Sequence, residues 1–138
     1  MPLQNRMTPH GEIEADQASG NFMGNCGILH DANRQLGRHR WAHDKRIICF
    51  TAFRERHRTV MSPRRYTEPF FLDEAVALAA GHYPGYECRR HNYHAWNEAW
   101  RIAHRAAQPP RVKEMDRAMH LERIDRATRR QKTWSCRL

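Results

Sequence analysis

Short apolar runs are the feature that most constrains the fold of this 138-residue chain. The longest of them, residues 75–80, is far shorter than the about 20 residues that a membrane-spanning helix needs. A core must therefore be assembled from several short helices and strands. The chain is long enough to bury one modest core, so we expect a single domain and no membrane segment.

Residues 21–30 suit short strands around turns, and three further segments are predicted to be strands. Residues 46–53 are β-branched and aromatic and form the clearest of them. Residues 59–61 are placed to return as the hairpin partner of that strand, and residues 70–72 form another short strand. We therefore expect a small antiparallel sheet.

Helices are predicted in the second half of the chain. Asp73 is a good N-cap for a helix over 74–80, and Gly81 is well placed to end this helix in the left-handed conformation. Apolar residues, among them Tyr93, Trp96 and Trp100, recur at steps of three and four over 90–107, which predicts a second helix, and a third is predicted over 111–130. The predicted fold class is α+β, a small antiparallel sheet followed by three helices.

The predicted organisation has three parts. Residues 1–20 show no apolar period and are expected to be a flexible N-terminal lead. Residues 21–130 form the single α+β domain, and residues 131–138 form a frayed basic tail. The N-terminus lacks the apolar centre of a secretory signal, and the four cysteines are widely spaced, so we expect a cytoplasmic protein with reduced thiols.

The positive charge of the chain is large and unevenly placed. The sequence has 24 Lys and Arg against 15 Asp and Glu, a formal net charge of +9. Residues 32–72 carry ten basic and three acidic side chains, and residues 89–138 carry thirteen and five. Such a chain attracts phosphate polymers, so nucleic acid, DNA or RNA, is the expected partner. A merely solvated, arginine-rich surface is the alternative.

Arginines cluster around the hairpin predicted from residues 46–61. Arginine pairs bidentately with phosphate or guanine, and arginines at a hairpin tip can contact a groove or the backbone phosphates. The predicted nucleic-acid-binding residues are Arg54, Arg56, Arg58, Arg64 and Arg65. Trp41 and Tyr66 are candidate stacking residues nearby.

The segment 66–90 carries a more specific pattern. Paired phenylalanines at 70–71 precede an alanine-rich helix and then Ala-Gly-His-Tyr-Pro-Gly-Tyr-Glu-Cys-Arg at 80–89. This segment resembles the end of the metal-binding domain of the Ada DNA-repair protein, which shows Ala-Gly-(aromatic)-Arg-Pro-Cys-x-x-Cys-Arg after such a helix. Residues 7–135 are also similar to a bacterial family whose members carry this element. The resemblance implies a zinc-ribbon-like, Ada-like α+β fold.

The resemblance also implies a zinc ion held by two cysteines of a preceding strand region and by the two of Cys-x-x-Cys. Cys88 matches the second cysteine of this pair, whereas Gly85 stands at the position of the first. Cys49, on the predicted strand, is the candidate upstream ligand. His82, three residues before Gly85, is the candidate substitute for the missing cysteine. The predicted metal ligands are therefore Cys49, His82 and Cys88.

Other interpretations of these residues stay open. Cys26 and His30, four residues apart, are further candidate ligands. A cysteine between Ile48 and Phe50 is also typical of a small buried hydrophobe.

These observations favour a small basic nucleic-acid-binding protein on an Ada-like zinc-binding scaffold. One alternative is a methyl-accepting enzyme of the DNA-repair type, with Cys49 as acceptor, which needs a zinc-bound thiolate of lowered pKa. Another alternative is an adaptor that binds an acidic protein partner.

Overall fold

The computed structural model describes residues 2–51, 59–135 and 137. In chain order its helices and strands are β1 (Gln4–Met7), β2 (Ile13–Ala15), β3 (Phe22–Asn25), β4 (Ile47–Phe50), β5 (Phe70–Phe71), α1 (Glu74–Ala79), β6 (Tyr83–Pro84), α2 (Arg90–Ala103), α3 (Val112–Arg123), β7 (Ile124–Asp125) and β8 (Arg130–Gln131). Within these ranges no helix has the length and apolar character that a membrane span requires.

Six of the strands form one mixed sheet in the order β2-β1-β5-β3-β4-β6. The pairs β1–β2, β3–β5 and β3–β4 are antiparallel, whereas β1–β5 and β4–β6 are parallel. The strands β7 and β8 form a separate antiparallel pair.

The prediction of a small antiparallel sheet followed by three helices is therefore wrong. The sheet is larger and mixed, and the helices alternate with strands, since α1 lies between β5 and β6 and two strands follow α3. Residues 1–20, expected to be a flexible lead, supply the hairpin of β1 and β2. That hairpin is held to the sheet because Met7 and Ile13 bury their side chains in the core.

The two faces of the sheet are set by the alternation of side chains along each strand. Ile48 pairs with Gly24, and this face carries the larger core cluster, which includes Phe71 and Ala77 of α1. Cys49 pairs with Met23 and belongs to the opposite face. We call these the core face and the cavity face.

Helix α1 begins and ends as its sequence predicts. The Asp73 carboxylate accepts a hydrogen bond from the N–H of Val76 at 2.8 Å, which confirms the predicted N-cap. Gly81 has a φ of 82°, and a Cβ atom there would lie 2.6 Å from the Arg123 side chain. The left-handed conformation and this close approach both require glycine.

The carbonyl groups of residues 79–81, at and just after the end of α1, are bound by side chains from distant parts of the chain. Gln131 donates to the carbonyl of Ala79 at 3.0 Å, Arg46 donates to that of Ala80 at 3.4 Å, and Arg123 donates to that of Gly81. These contacts supply partners that a helix end otherwise lacks.

Helices α2 and α3 pack on the cavity face at its β6 edge. Tyr93 of α2 and Met115 of α3 bury their side chains against Tyr83 of β6, with Trp96 and Trp100 partly buried beside them. The aromatic part of the stripe predicted for the second helix is thus confirmed, but this helix ends at Ala103 rather than at residue 107. The third helix ends at Arg123, earlier than predicted, because the chain becomes extended and β7 pairs with β8.

Candidate functional site

Strand β4 and the turn after β6 form the frame of the candidate site. The N–H of Gly85 donates to the carbonyl of Ile48 at 3.0 Å, which extends the parallel pairing of the two strands. The N–H of Arg89 then donates to the carbonyl of Gly85 at 2.9 Å, so the chain turns back towards β4. This turn brings Cys88 close to β4, and its Sγ lies 3.7 Å from the carbonyl oxygen of Ile48.

Cys49 and Cys88 lie side by side in this frame. A Cβ atom built on Gly85 would be 3.3 Å from Cys88 Sγ and 3.5 Å from Cys49 Sγ, so both sulfur atoms border the space that glycine leaves open. Neither of these two cysteines is in a disulfide, and their side chains are hydrogen-bonded to each other. The structure thus brings together two of the three predicted metal ligands.

The surroundings of Cys88 lower the pKa of its thiol from 9.0 to about 7. The largest cause is the hydrogen bond from Cys49. Burial acts in the opposite direction, while the backbone N–H groups of Phe50 and Cys88 and the charge of Arg89 lower the pKa further. Because the thiolate is the nucleophilic form of cysteine, Cys88 has a substantial reactive fraction near neutral pH.

The pKa of the Cys26 thiol is shifted in the opposite direction. Its side chain is fully buried in the core cluster, and burial raises the pKa of its thiol to about 11. The charge of Arg46 offsets this only in part. Cys26 is a structural residue.

A cavity of about 430 Å³ opens beside the two thiols on the cavity face. Its apolar wall is formed by Met23, Ile47, Val60, Tyr66 and Phe70, and its polar groups include Asn5, Asn25, Lys45, Glu68 and Glu87. The dimensions suit a small molecule or a few atoms of a larger one.

Arg89 fixes the turn that carries Cys88. Its side chain is buried, its Nη1 lies 2.6 Å from Glu74 Oε1, and its guanidinium lies over the rings of Phe22 and Phe50 at 5.0 and 5.1 Å. Arg89 is not among the predicted site residues, because in a basic run an arginine next to Cys88 is typical of a solvated surface. No local signal marks its pairing with α1, which depends on the tertiary fold.

His82 lies on the other side of the sheet. It precedes Tyr83, whose side chain is on the cavity face, so alternation places His82 on the core face. There its ring packs edge-on against Phe71 at 4.8 Å, and its Cδ2 would lie 3.2 Å from a Cβ atom on Gly24. Burial, with Arg46 and Arg123 nearby, lowers its pKa well below the usual value. His82 does not converge with the two thiols.

The described residues do not provide a zinc site. Among residues 2–51, 59–135 and 137, no three His, Cys, Asp or Glu side chains are grouped to hold a metal ion. The ring nitrogens of His30 are occupied, Nδ1 by Thr67 Oγ1 at 2.6 Å and Nε2 by the carbonyl of Ser62 at 3.1 Å. Two thiols alone do not satisfy the four-coordinate geometry of structural zinc.

Two of the predicted nucleic-acid-binding arginines, Arg64 and Arg65, are exposed. They follow Val60 and precede Tyr66, and both of these residues line the cavity. Arg54, Arg56 and Arg58 lie outside the described residues.

The two predicted stacking residues have different surroundings. Trp41 is partly buried, packs edge-on against His120 at 5.6 Å, and has Arg46 over its ring at 5.6 Å. Tyr66 lines the cavity. Of the two, only Tyr66 is next to the candidate site.

No protein-family model, no curated protein and no solved structure matches this chain. The resemblance to the Ada metal-binding domain stays a prediction from the sequence.

Proposed function

We propose that this protein binds nucleic acid, DNA or RNA, through the basic surface around the thiol cavity. The observation that carries this proposal is the position of four exposed cations, Lys45, Arg64, Arg65 and Arg90, relative to that cavity. Phosphate contacts by lysine and arginine supply most of the affinity in non-specific nucleic-acid binding.

Each of these cations either lines the cavity or is close in sequence to a residue that lines it. Lys45 lines the cavity directly. Arg64 and Arg65 lie between Val60 and Tyr66, which both line the cavity. Arg90 is two positions after Cys88, and its guanidinium lies 4.6 Å from the centre of the Tyr86 ring. Tyr86 is also exposed, so this edge combines a cation with an aromatic surface on which a base can stack.

The methyl-accepting alternative receives no support from the described residues. It requires a metal-bound thiolate, and Cys49 and Cys88 have no third ligand grouped with them among residues 2–51, 59–135 and 137. The adaptor alternative uses the same basic surface, and a competition experiment separates it from nucleic-acid binding.

The test compares two triple variants of equal charge. Lys45→Ala/Arg64→Ala/Arg65→Ala and the control Arg105→Ala/Arg117→Ala/Arg126→Ala each remove three exposed cations and lower the net charge from +9 to +6. None of the control residues lines the cavity. Fluorescence anisotropy with a labelled 20-base-pair duplex and a labelled RNA hairpin, repeated over a range of salt concentrations, gives the affinities and their salt slopes.

We expect the cavity-side variant to flatten the log–log salt slope by roughly two to three units on B-DNA, at about 0.9 per lost phosphate contact. The control should change the slope by less than about one unit. Equal changes in the two variants, or no binding by the wild type at low salt, would contradict the proposal. Preferential release of DNA by an acidic polypeptide of matched charge would favour the adaptor.

A further inference from the structure

We propose that Cys49 and Cys88 form a two-electron redox site, in which a hydroperoxide converts the two thiols into one intramolecular disulfide. The inference rests on the placement of the two sulfur atoms and the cavity beside them. It does not depend on nucleic-acid binding.

The two sulfur atoms are positioned to join. Each lies within 3.5 Å of the same point at Gly85, and the side chains are already hydrogen-bonded to each other. Because Gly85 has no side chain, nothing from that residue stands between the sulfurs. Formation of the disulfide brings these two neighbouring sulfur atoms to about 2.05 Å from each other.

The site is open to a small oxidant. Both thiols line the cavity of about 430 Å³, and both side chains are only partly buried. Cys26, by contrast, is completely buried and does not line the cavity. A hydroperoxide with a small organic group, or hydrogen peroxide itself, has the size to enter.

The positions of the neighbouring groups assign different roles to the two cysteines. Cys88 receives the hydrogen bond of Cys49 and lies next to Arg89, whose guanidinium is fixed by Glu74 and two aromatic rings. A thiolate with a donor and a cation beside it is the form that attacks peroxides. Cys88 is thus the attacking residue and Cys49 the resolving residue.

The chemistry balances in three steps. The Cys88 thiolate attacks the terminal oxygen of the hydroperoxide, the O–O bond breaks, and the leaving alkoxide takes a proton from solvent, so that a sulfenic acid and an alcohol form. The Cys49 sulfur then attacks the Cys88 sulfur, which forms the S–S bond and releases water. Two molecules of a low-molecular-weight thiol reduce the disulfide by exchange and leave as their own disulfide.

The experiment uses the full chain with Cys136→Ser, so that the cysteine outside the described residues does not contribute. The reduced protein is treated with a small excess of hydrogen peroxide at pH 7, blocked with N-ethylmaleimide and analysed by intact mass and peptide mapping. We expect a loss of two hydrogen atoms and a peptide that links Cys49 to Cys88. Addition of glutathione should restore both thiols.

Single variants test the two roles, with circular dichroism as the check on folding. Cys49→Ser should leave a sulfenic acid on Cys88 that dimedone traps, and Cys88→Ser should slow peroxide consumption at least about tenfold. Cys26→Ser is the matched control and should leave the cross-link unchanged. A cross-link that involves Cys26, or oxidation of the wild-type pair to sulfinic acids without any cross-link, would overturn the proposal. So would peroxide consumption by Cys88→Ser at the wild-type rate.

Discussion

The two faces of the six-stranded sheet favour opposite charge states of their titratable side chains. In the core cluster Cys26 is completely buried, and His82 is buried on the same face, so that burial keeps both side chains uncharged. On the cavity face Cys88 borders a cavity, and its hydrogen bond with Cys49 favours the thiolate. Position relative to the sheet, more than residue type, therefore decides which side chain is available for chemistry.

The largest expected difference between the faces is in the stability that is lost when a side chain on each face is truncated. Phe70 and Phe71 are neighbours on β5 and point to opposite faces. Phe71→Ala removes a fully buried ring from the core and should lower the free energy of unfolding by about 3–5 kcal/mol. Phe70→Ala acts at the wall of the cavity and should cost less than half as much. Urea denaturation of both variants measures the difference, and equal losses would contradict the assignment of the two faces.

Thiol reactivity should separate Cys88 from Cys26 by at least about a hundredfold at pH 7. The pKa of Cys88 is about 7 and that of Cys26 about 11, so their thiolate fractions differ strongly at neutral pH, and Cys26 is also enclosed. Timed labelling of the native protein with iodoacetamide, followed by peptide quantification, gives both rates. Comparable rates in the folded protein would mean that the core face opens readily.

Two glycines provide a matched pair for small substitutions. A Cβ atom on Gly24 would lie 2.8 Å from the Phe71 ring, whereas one on Gly85 would have no neighbour closer than 3.3 Å. Gly24→Ala should therefore cost about 1–3 kcal/mol of stability through overpacking, and Gly85→Ala clearly less. The same Gly85→Ala protein should form the disulfide more slowly, because its new methyl group touches both sulfur atoms. Thermal unfolding and the cross-linking assay check the two parts separately.

The smallest expected effect is a pH dependence of opposite sign at the two cysteines. Cys88 has a folded pKa of about 7, below its ordinary value of 9.0, so its stabilising contribution is complete above pH 9 and is lost as the pH falls through 7. Cys26 has a raised pKa of about 11, so its contribution is complete below pH 9 and is lost as the pH rises through 11. Solvent screening at the partly exposed Cys88 should keep its effect below about 1 kcal/mol.

Unfolding free energies of the wild type and Cys88→Ser, measured from pH 6 to 9.5, isolate the Cys88 contribution. The difference between the two proteins should grow in favour of the wild type as the pH rises. A difference that is constant over this range would contradict the lowered pKa of Cys88.

The parts of the fold that the sequence predicted are those encoded by neighbouring residues. Asp73 and Gly81 determine the ends of α1 locally, and the aromatic stripe of α2 follows from helical spacing. The mixed sheet was missed because β6 has only two residues, too few for any periodicity, and because the segment that forms β1 and β2 shows no apolar period. The pairing of β1 with β5 joins residues that lie far apart in the chain, and no local pattern specifies it.

In the candidate site, too, the features encoded locally were predicted and those that depend on the tertiary fold were not. The resemblance of residues 80–89 to a known motif directed attention to Cys49 and Cys88, which do lie together. His82 was chosen for its closeness to Gly85 in the sequence, but three residues along an extended chain lead to the opposite face. The ion pair of the buried Arg89 with Glu74 could not be predicted, because exposed and buried arginines look alike in a basic sequence.

The side chains that bind the end of α1 have a consequence for the way this protein is made. Ala79 leaves the ribosome 52 residues before Gln131, which donates to its carbonyl. At about 5–20 residues per second, that interval lasts roughly 3–10 s. During synthesis the Ala79 carbonyl therefore lacks this partner for several seconds, and its hydrogen bond can form only when β8 has been translated.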